Sequence, residues 1–191
     1  MDRKVILGIS TALILSLNNS LAQETVVNHE APGNLESLSP SGCVAVNDLS
    51  NMQNPVDIFT GVNICLVEEN YPNAAELYFA GMSYGFFDTK RVSDKTAHQA
   101  ISVLRMNLFS DKGTDVTNKL QDAVTDITSD NKAICESLSN LGAPAYVPTY
   151  MIQHGMGAFT GDNENKGLVE DFDSEMAWRD VLATIVKCNK A

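Results

Sequence analysis

Gly81-Met82-Ser83-Tyr84-Gly85 sets a serine between two glycines at the spacing of a nucleophile carried on a sharp strand-to-helix turn. In such a turn the glycines relieve crowding and the hydroxyl projects toward a substrate. His154 lies downstream as a base, with several aspartates between the two to orient it, so the residue order for acyl transfer is available. The flanks argue against it. Pro72 to Ala80 reads as a helix start rather than a buried strand, and Phe86 and Phe87 are bulky where a following helix must approach a sheet. In the opposing reading Gly81 and Gly85 let helices pack closely, and Ser83 is inert.

The pentapeptide resembles the nucleophile elbow of α/β-hydrolases, and small secreted esterases of the cutinase type have a comparable size. That resemblance implies a secreted serine hydrolase with Ser83 as nucleophile and His154 as its base.

Residues 162–173 partly match a calcium-binding loop, with Asp162 first, Glu164 third, Gly167 at the turn and Asp173 twelfth. Lys166 stands where an oxygen ligand is required, which predicts a solvated acidic loop followed by an aspartate cap. Three histidines are present, His29, His98 and His154, without ligand spacing. His98 follows Asp94 by one helical turn, so an exposed ion pair is expected there. Tyr150 precedes His154 by one turn, and Gly155 and Gly157 leave its surroundings open. No spacing of cysteine or histidine suits a metal, and no cofactor is expected.

The run Tyr78, Phe79, Tyr84, Phe86 and Phe87 reads mainly as core, with Tyr78 or Tyr84 as an interface anchor. Candidate binding residues are therefore Tyr78, Tyr84, Tyr150 and His154, joined by the acidic Glu164, Glu170 and Asp171.

The elements that must position these residues are helical. Asn54-Pro55 is a cap followed by a first-turn proline, and Ile58, Val62, Cys65 and Leu66 recur on one face. Tyr71-Pro72-Asn73 restarts a helix through Ala74, Leu77 and Gly81, which Gly85 and Asp88-Thr89 should end. Ser93 should cap a third helix, with Ala97, Ala100, Ile101, Leu104 and Leu108 as its stripe. Thr114 or Asp115 opens a fourth, Asp130 caps a fifth that stops at Gly142, and 149–159 forms a short one. A last helix runs from Asp173 through Trp178, Leu182 and Ile185 to Cys188. No stretch alternates with period two over a strand's length. The expected fold is mainly α, a compact domain of antiparallel helical hairpins, with 54–87 and 93–109 as consecutive neighbours.

Residues 1–22 read as a secretory signal, residues 23–42 as a flexible arm and residues 43–191 as a single helical domain. Arg3 and Lys4 precede the apolar run Val5 to Leu17, and Ser20-Leu21-Ala22 offers small residues for cleavage. That run is shorter than a bilayer span, so no membrane anchor is expected. The four cysteines allow three pairings; Cys43–Cys65 with Cys135–Cys188 ties segments expected to be neighbours, in an oxidising compartment. The net charge of −11 repels nucleic acid and anionic headgroups and favours a cationic protein partner.

Residues 74–109 resemble Sel1-like and tetratricopeptide-type helical hairpins. Ala74, Leu77, Gly81 and Tyr84 match on the first helix, and Val92, Asp94, Ala97 and Ala100 match on the turn and second. The resemblance implies a helical surface for protein binding. Signal, helices, disulfides and acidity together fit a periplasmic or secreted, non-enzymatic binding protein, as an immunity protein against a delivered toxin would be. The other readings are the Ser83 hydrolase and an envelope protein with a small-molecule pocket near Tyr150 and His154.

Overall fold

The computed structural model describes residues 31–161 and 164–188. The expected signal, residues 23–30 of the expected arm and His29 lie outside these. Helices α1 (Pro55–Val67) and α2 (Tyr71–Arg91) both start as their sequences dictate. The Asn54 side chain accepts from the Asp57 amide while the Asp57 carboxylate accepts from the Asn54 amide, a reciprocal cap followed by Pro55. Asn70 caps α2, with Pro72 in its first turn. The short break between them makes the pair antiparallel. Gly61 of α1 sits on Leu77, and Gly81 of α2 sits on Ile58 and Phe59.

Helix α2 does not end at Gly85 or Asp88-Thr89. Gly85 lies inside it because a Cβ there would come 2.2 Å from the Ile101 side chain. Asp88 is buried and pairs with Arg91 one turn on, which carries the helix to its last residue. The next segment also departs from expectation. Asp94, not Ser93, caps a 3-10 turn at Lys95–Gln99, and regular helix α3 (Ala100–Phe109) begins only after it. The Ser93 amide instead donates to the Gly167 carbonyl.

Helix α4 (Thr114–Ser129) packs on α2, and α5 (Lys132–Leu141) ends at Gly142, whose φ of +78° suits a residue without Cβ. The expected helix over 149–159 is two short ones, α6 (Thr149–Ile152) and α7 (Gly157–Thr160), parted where Gly155 presses against Asp94 and Ala97. Helix α8 (Ser174–Val181) widens into a π-turn at Leu182–Val186. That widening shifts the stripe, so Val186 is buried and Ile185 only half-buried.

The fold is mainly helical and compact, with no strand among the described residues beyond one antiparallel bridge between Val92 and Leu168. The nearest neighbours of α2 are α1 and α4. Helix α3 packs on α1 and meets α2 at Gly85, so 93–109 lies against 54–87, shared between its two helices. Both disulfides form, Cys43–Cys65 and Cys135–Cys188. They suit a non-cytoplasmic, oxidising compartment. Among the described residues no helix is long and apolar enough to cross a membrane.

Residues 31–42 of the segment read as an arm are tied to α1. Ser37 Oγ and the Leu38 and Ser39 amides all donate to Asp57 Oδ1, at 2.7, 2.8 and 2.8 Å. The Leu35 amide donates to the Tyr150 carbonyl.

Candidate functional site

Ser83 lies in the middle of α2, is 0 % exposed, and its Oγ has no hydrogen-bond partner among the described residues. The strand-to-helix turn that an elbow requires is not formed there. The two glycines are explained by packing, Gly81 against Phe59 and Gly85 against Ile101. The His154 Nδ1 lies 2.9 Å from Asn34 Oδ1, which ties α6 to the segment before α1. His98 makes no ion pair with Asp94; its Nε2 meets the Val92 carbonyl at 2.9 Å, while Asp94 turns to Thr96 and Gly157.

Tyr84 and Tyr150 are 0 % and 1 % exposed, so neither can touch a partner. Both belong to an enclosed polar knot around Asp88. The Tyr146 and Tyr150 hydroxyls donate to Asp88 Oδ2 at 2.7 and 2.8 Å, and Arg91 Nε donates to Oδ1 at 2.7 Å. Arg91 Nη2 also lies 2.7 Å from Oδ1, as an ion pair without hydrogen-bond alignment. The guanidinium is held between the rings of Phe87 and Tyr146, 5.1 and 4.9 Å from their centroids. Tyr84 donates to the Gly142 carbonyl and stacks edge-on against Trp178.

Burial pushes the Asp88 carboxyl above the usual carboxylate range, with Arg91 and the two phenols opposing it. Burial, reinforced by the Asp88 charge, pushes the phenols of Tyr84, Tyr146 and Tyr150 up. The knot fixes the ends of α2, α6 and the 142–148 segment. Closed on all sides, it is a support.

The accessible chemistry lies on an edge built over residues 91–97. One half is α7. The Gly157 amide donates to Asp94 Oδ2 at 2.9 Å and the Met156 amide to Thr96 Oγ1 at 2.8 Å. These bonds hold Met156 and Phe159 on fixed backbone while their side chains stay 59 % and 52 % exposed. The other half is the 167–171 segment. The Val169 amide donates to the Arg91 carbonyl at 2.8 Å, and Gly167 packs on Ile152. This places Val169, Glu170 and Asp171, all exposed, beside the same short stretch.

Glu164 opens a 3-10 turn at Glu164–Gly167, and Asp162 lies outside the described residues. Asp173 accepts from the Met176 amide as the cap of α8, and Lys166 is exposed. No cluster of histidine, cysteine or carboxylate side chains among the described residues could hold a metal. Tyr78 is half-buried and lines a separate cleft between α2, α3 and α4.

The structure therefore separates the expected binding residues. Glu170 and Asp171 share the edge, His154 stands behind it, Tyr78 faces another cleft, and Tyr84 and Tyr150 are interior. Sequence reading missed Met156 and Phe159. Their signal was present as two large apolar residues in a glycine-rich stretch too short to need both in a core. Compared with known protein families, curated proteins and solved structures, the chain matches none of them.

Proposed function

We propose that the protein is a secreted or periplasmic, non-enzymatic binding protein whose protein partner docks on the 91–97 edge. An immunity-type inhibitor of a toxin delivered by a rival cell fits this reading. The observation that carries it is the joining, over one short segment, of exposed Met156 and Phe159 on pinned backbone with exposed Glu170 and Asp171. Apolar anchors whose backbone is already fixed lose little entropy on binding, and such anchors dominate interface energetics. Flanking carboxylates steer a cationic partner and act mainly on association rate. The overall charge of −11 extends that steering over the surface. Two disulfides suit an extracytoplasmic site of action.

The test is titration calorimetry and binding kinetics with the product of an adjacent secreted-effector gene. A one-to-one complex is expected, at least tenfold weaker for Phe159→Ala. Glu170→Lys with Asp171→Lys should slow association and flatten its salt dependence. An affinity untouched by these changes overturns the docking surface. Labelling of Ser83 by a fluorophosphonate overturns the non-enzymatic reading.

A further inference from the structure

A cleft of about 460 Å³ opens between α2, α3 and α4, and none of its lining residues belongs to the 91–97 edge. Its apolar walls are Phe109, Leu120 and Val124, and Thr117 and Gln121 add polar atoms. Space remains there because α4 sends only Leu120 fully into the core. The ring of Tyr78 stands between those of Phe59 and Phe109, with centroids 6.0 and 6.2 Å away, giving the cleft a rigid aromatic side.

Arg105 is the one charged residue of the lining. It is exposed, shares the lining with Tyr78, and none of the ion pairs among the described residues includes it. Among the described residues the cleft thus offers an arginine in no ion pair, beside a phenol and above apolar walls. Apolar pockets of this size with few convergent polar groups are the usual form of small-molecule sites. A planar guanidinium pairs with a carboxylate through two parallel hydrogen bonds, more strongly where walls exclude water.

We propose that this cleft binds a small anionic amphiphile, a carboxylate on an apolar body, with Arg105 taking the carboxylate and Phe109, Leu120 and Val124 the body. Charge sharpens the proposal. A protein carrying −11 repels anions in general, so any preference for an anion must come from this local arrangement. The proposal stands without the docking reading above, because the two share no residue.

The experiment titrates the exported protein with decanoate, followed by amide chemical shifts, beside decanol and decyltrimethylammonium of equal chain length. Saturable shifts at Tyr78, Arg105 and Val124 are expected for decanoate. Decyltrimethylammonium should neither reproduce nor displace them, and decanol should bind at least tenfold more weakly. Arg105→Gln should weaken decanoate at least tenfold while Arg105→Lys retains part of the affinity; circular dichroism confirms that both fold. Val124→Trp, which fills the cleft, should abolish saturation. Absence of saturable binding, equal binding of the cation or the alcohol, or indifference to Arg105→Gln overturns the proposal.

Discussion

Asp57 and Asp88 are both carboxylates removed from water, 1 % and 0 % exposed, yet they are held in opposite ways. Among the described residues Asp57 meets no cation. Its oxygens accept from the Asn54, Leu38 and Ser39 amides and the Ser37 hydroxyl, all within twenty residues along the chain. Asp88 is held by a guanidinium one turn away and by two phenols contributed from 58 and 62 residues downstream. The first arrangement secures a helix start and the segment before it. The second joins the end of α2 to the 146–150 segment some sixty residues on. Local backbone donors make a modular fastening, whereas a buried ion pair makes a cooperative one.

Breaking the cooperative fastening should have the largest effect. Asp88→Ala leaves the Arg91 charge buried without its partner and is expected to cost ~3–5 kcal/mol, read by urea denaturation. Burial already outweighs the attraction of Arg91 at Asp88. Replacing the whole knot, Asp88→Leu and Arg91→Met with Tyr146→Phe and Tyr150→Phe so that no hydroxyl is left without its acceptor, should therefore recover most of that loss. Recovery below about 1 kcal/mol, well under the usual gain from such replacements, would show that the pair itself stabilises the fold.

The same knot predicts alkaline sensitivity. The phenols of Tyr84, Tyr146 and Tyr150 are raised in the folded state, so they stay protonated when the unfolded chain would ionise. Their contribution is fully present below about pH 10, the ordinary tyrosine value, and is lost as pH rises beyond it. Stability measured from pH 8 upward should be flat to about that point and then fall steeply, with tyrosinate absorbance rising together with unfolding. Ionisation of these phenols well before unfolding would contradict their enclosure.

Releasing the modular fastening should cost less. Asp57→Ala removes the cap and the anchor of residues 37–39, with an expected loss of ~1–3 kcal/mol and new protease cleavage before Cys43. Tyr146→Phe takes one donor from Asp88 and should cost about 1–2 kcal/mol, the smallest of these effects. If Asp57→Ala proved the more damaging of the two aspartate changes, the contrast between them would be reversed.

The contrast also explains what could be read from the sequence. Asn54-Pro55 announces α1 because the partner of the cap is adjacent, and the helical stripes follow from equally local patterns. Gly85 with Asp88-Thr89 reads as the end of α2 because what calls for the glycine, the close approach of Ile101, comes from another helix. Tyr84 and Tyr150 read as interface tyrosines, since the acceptors of their hydroxyls, Gly142 and Asp88, lie 58 and 62 residues away. The π-turn at Leu182–Val186 and the division of 149–159 into two helices have the same origin in distant packing. At the candidate site, Glu170 and Asp171 were legible as a charged surface. Met156 and Phe159 became recognisable only once Asp94 and Thr96 were seen to hold their backbone.

The most direct test of the proposed function assays two variants side by side, Ser83→Ala and Phe159→Asp with Glu170→Lys and Asp171→Lys. Each is exported in cells challenged by the adjacent effector, after circular dichroism confirms folding. Docking at the 91–97 edge predicts full protection from Ser83→Ala and loss of protection from the edge variant. Protection that survives the edge changes but disappears with Ser83→Ala would contradict it.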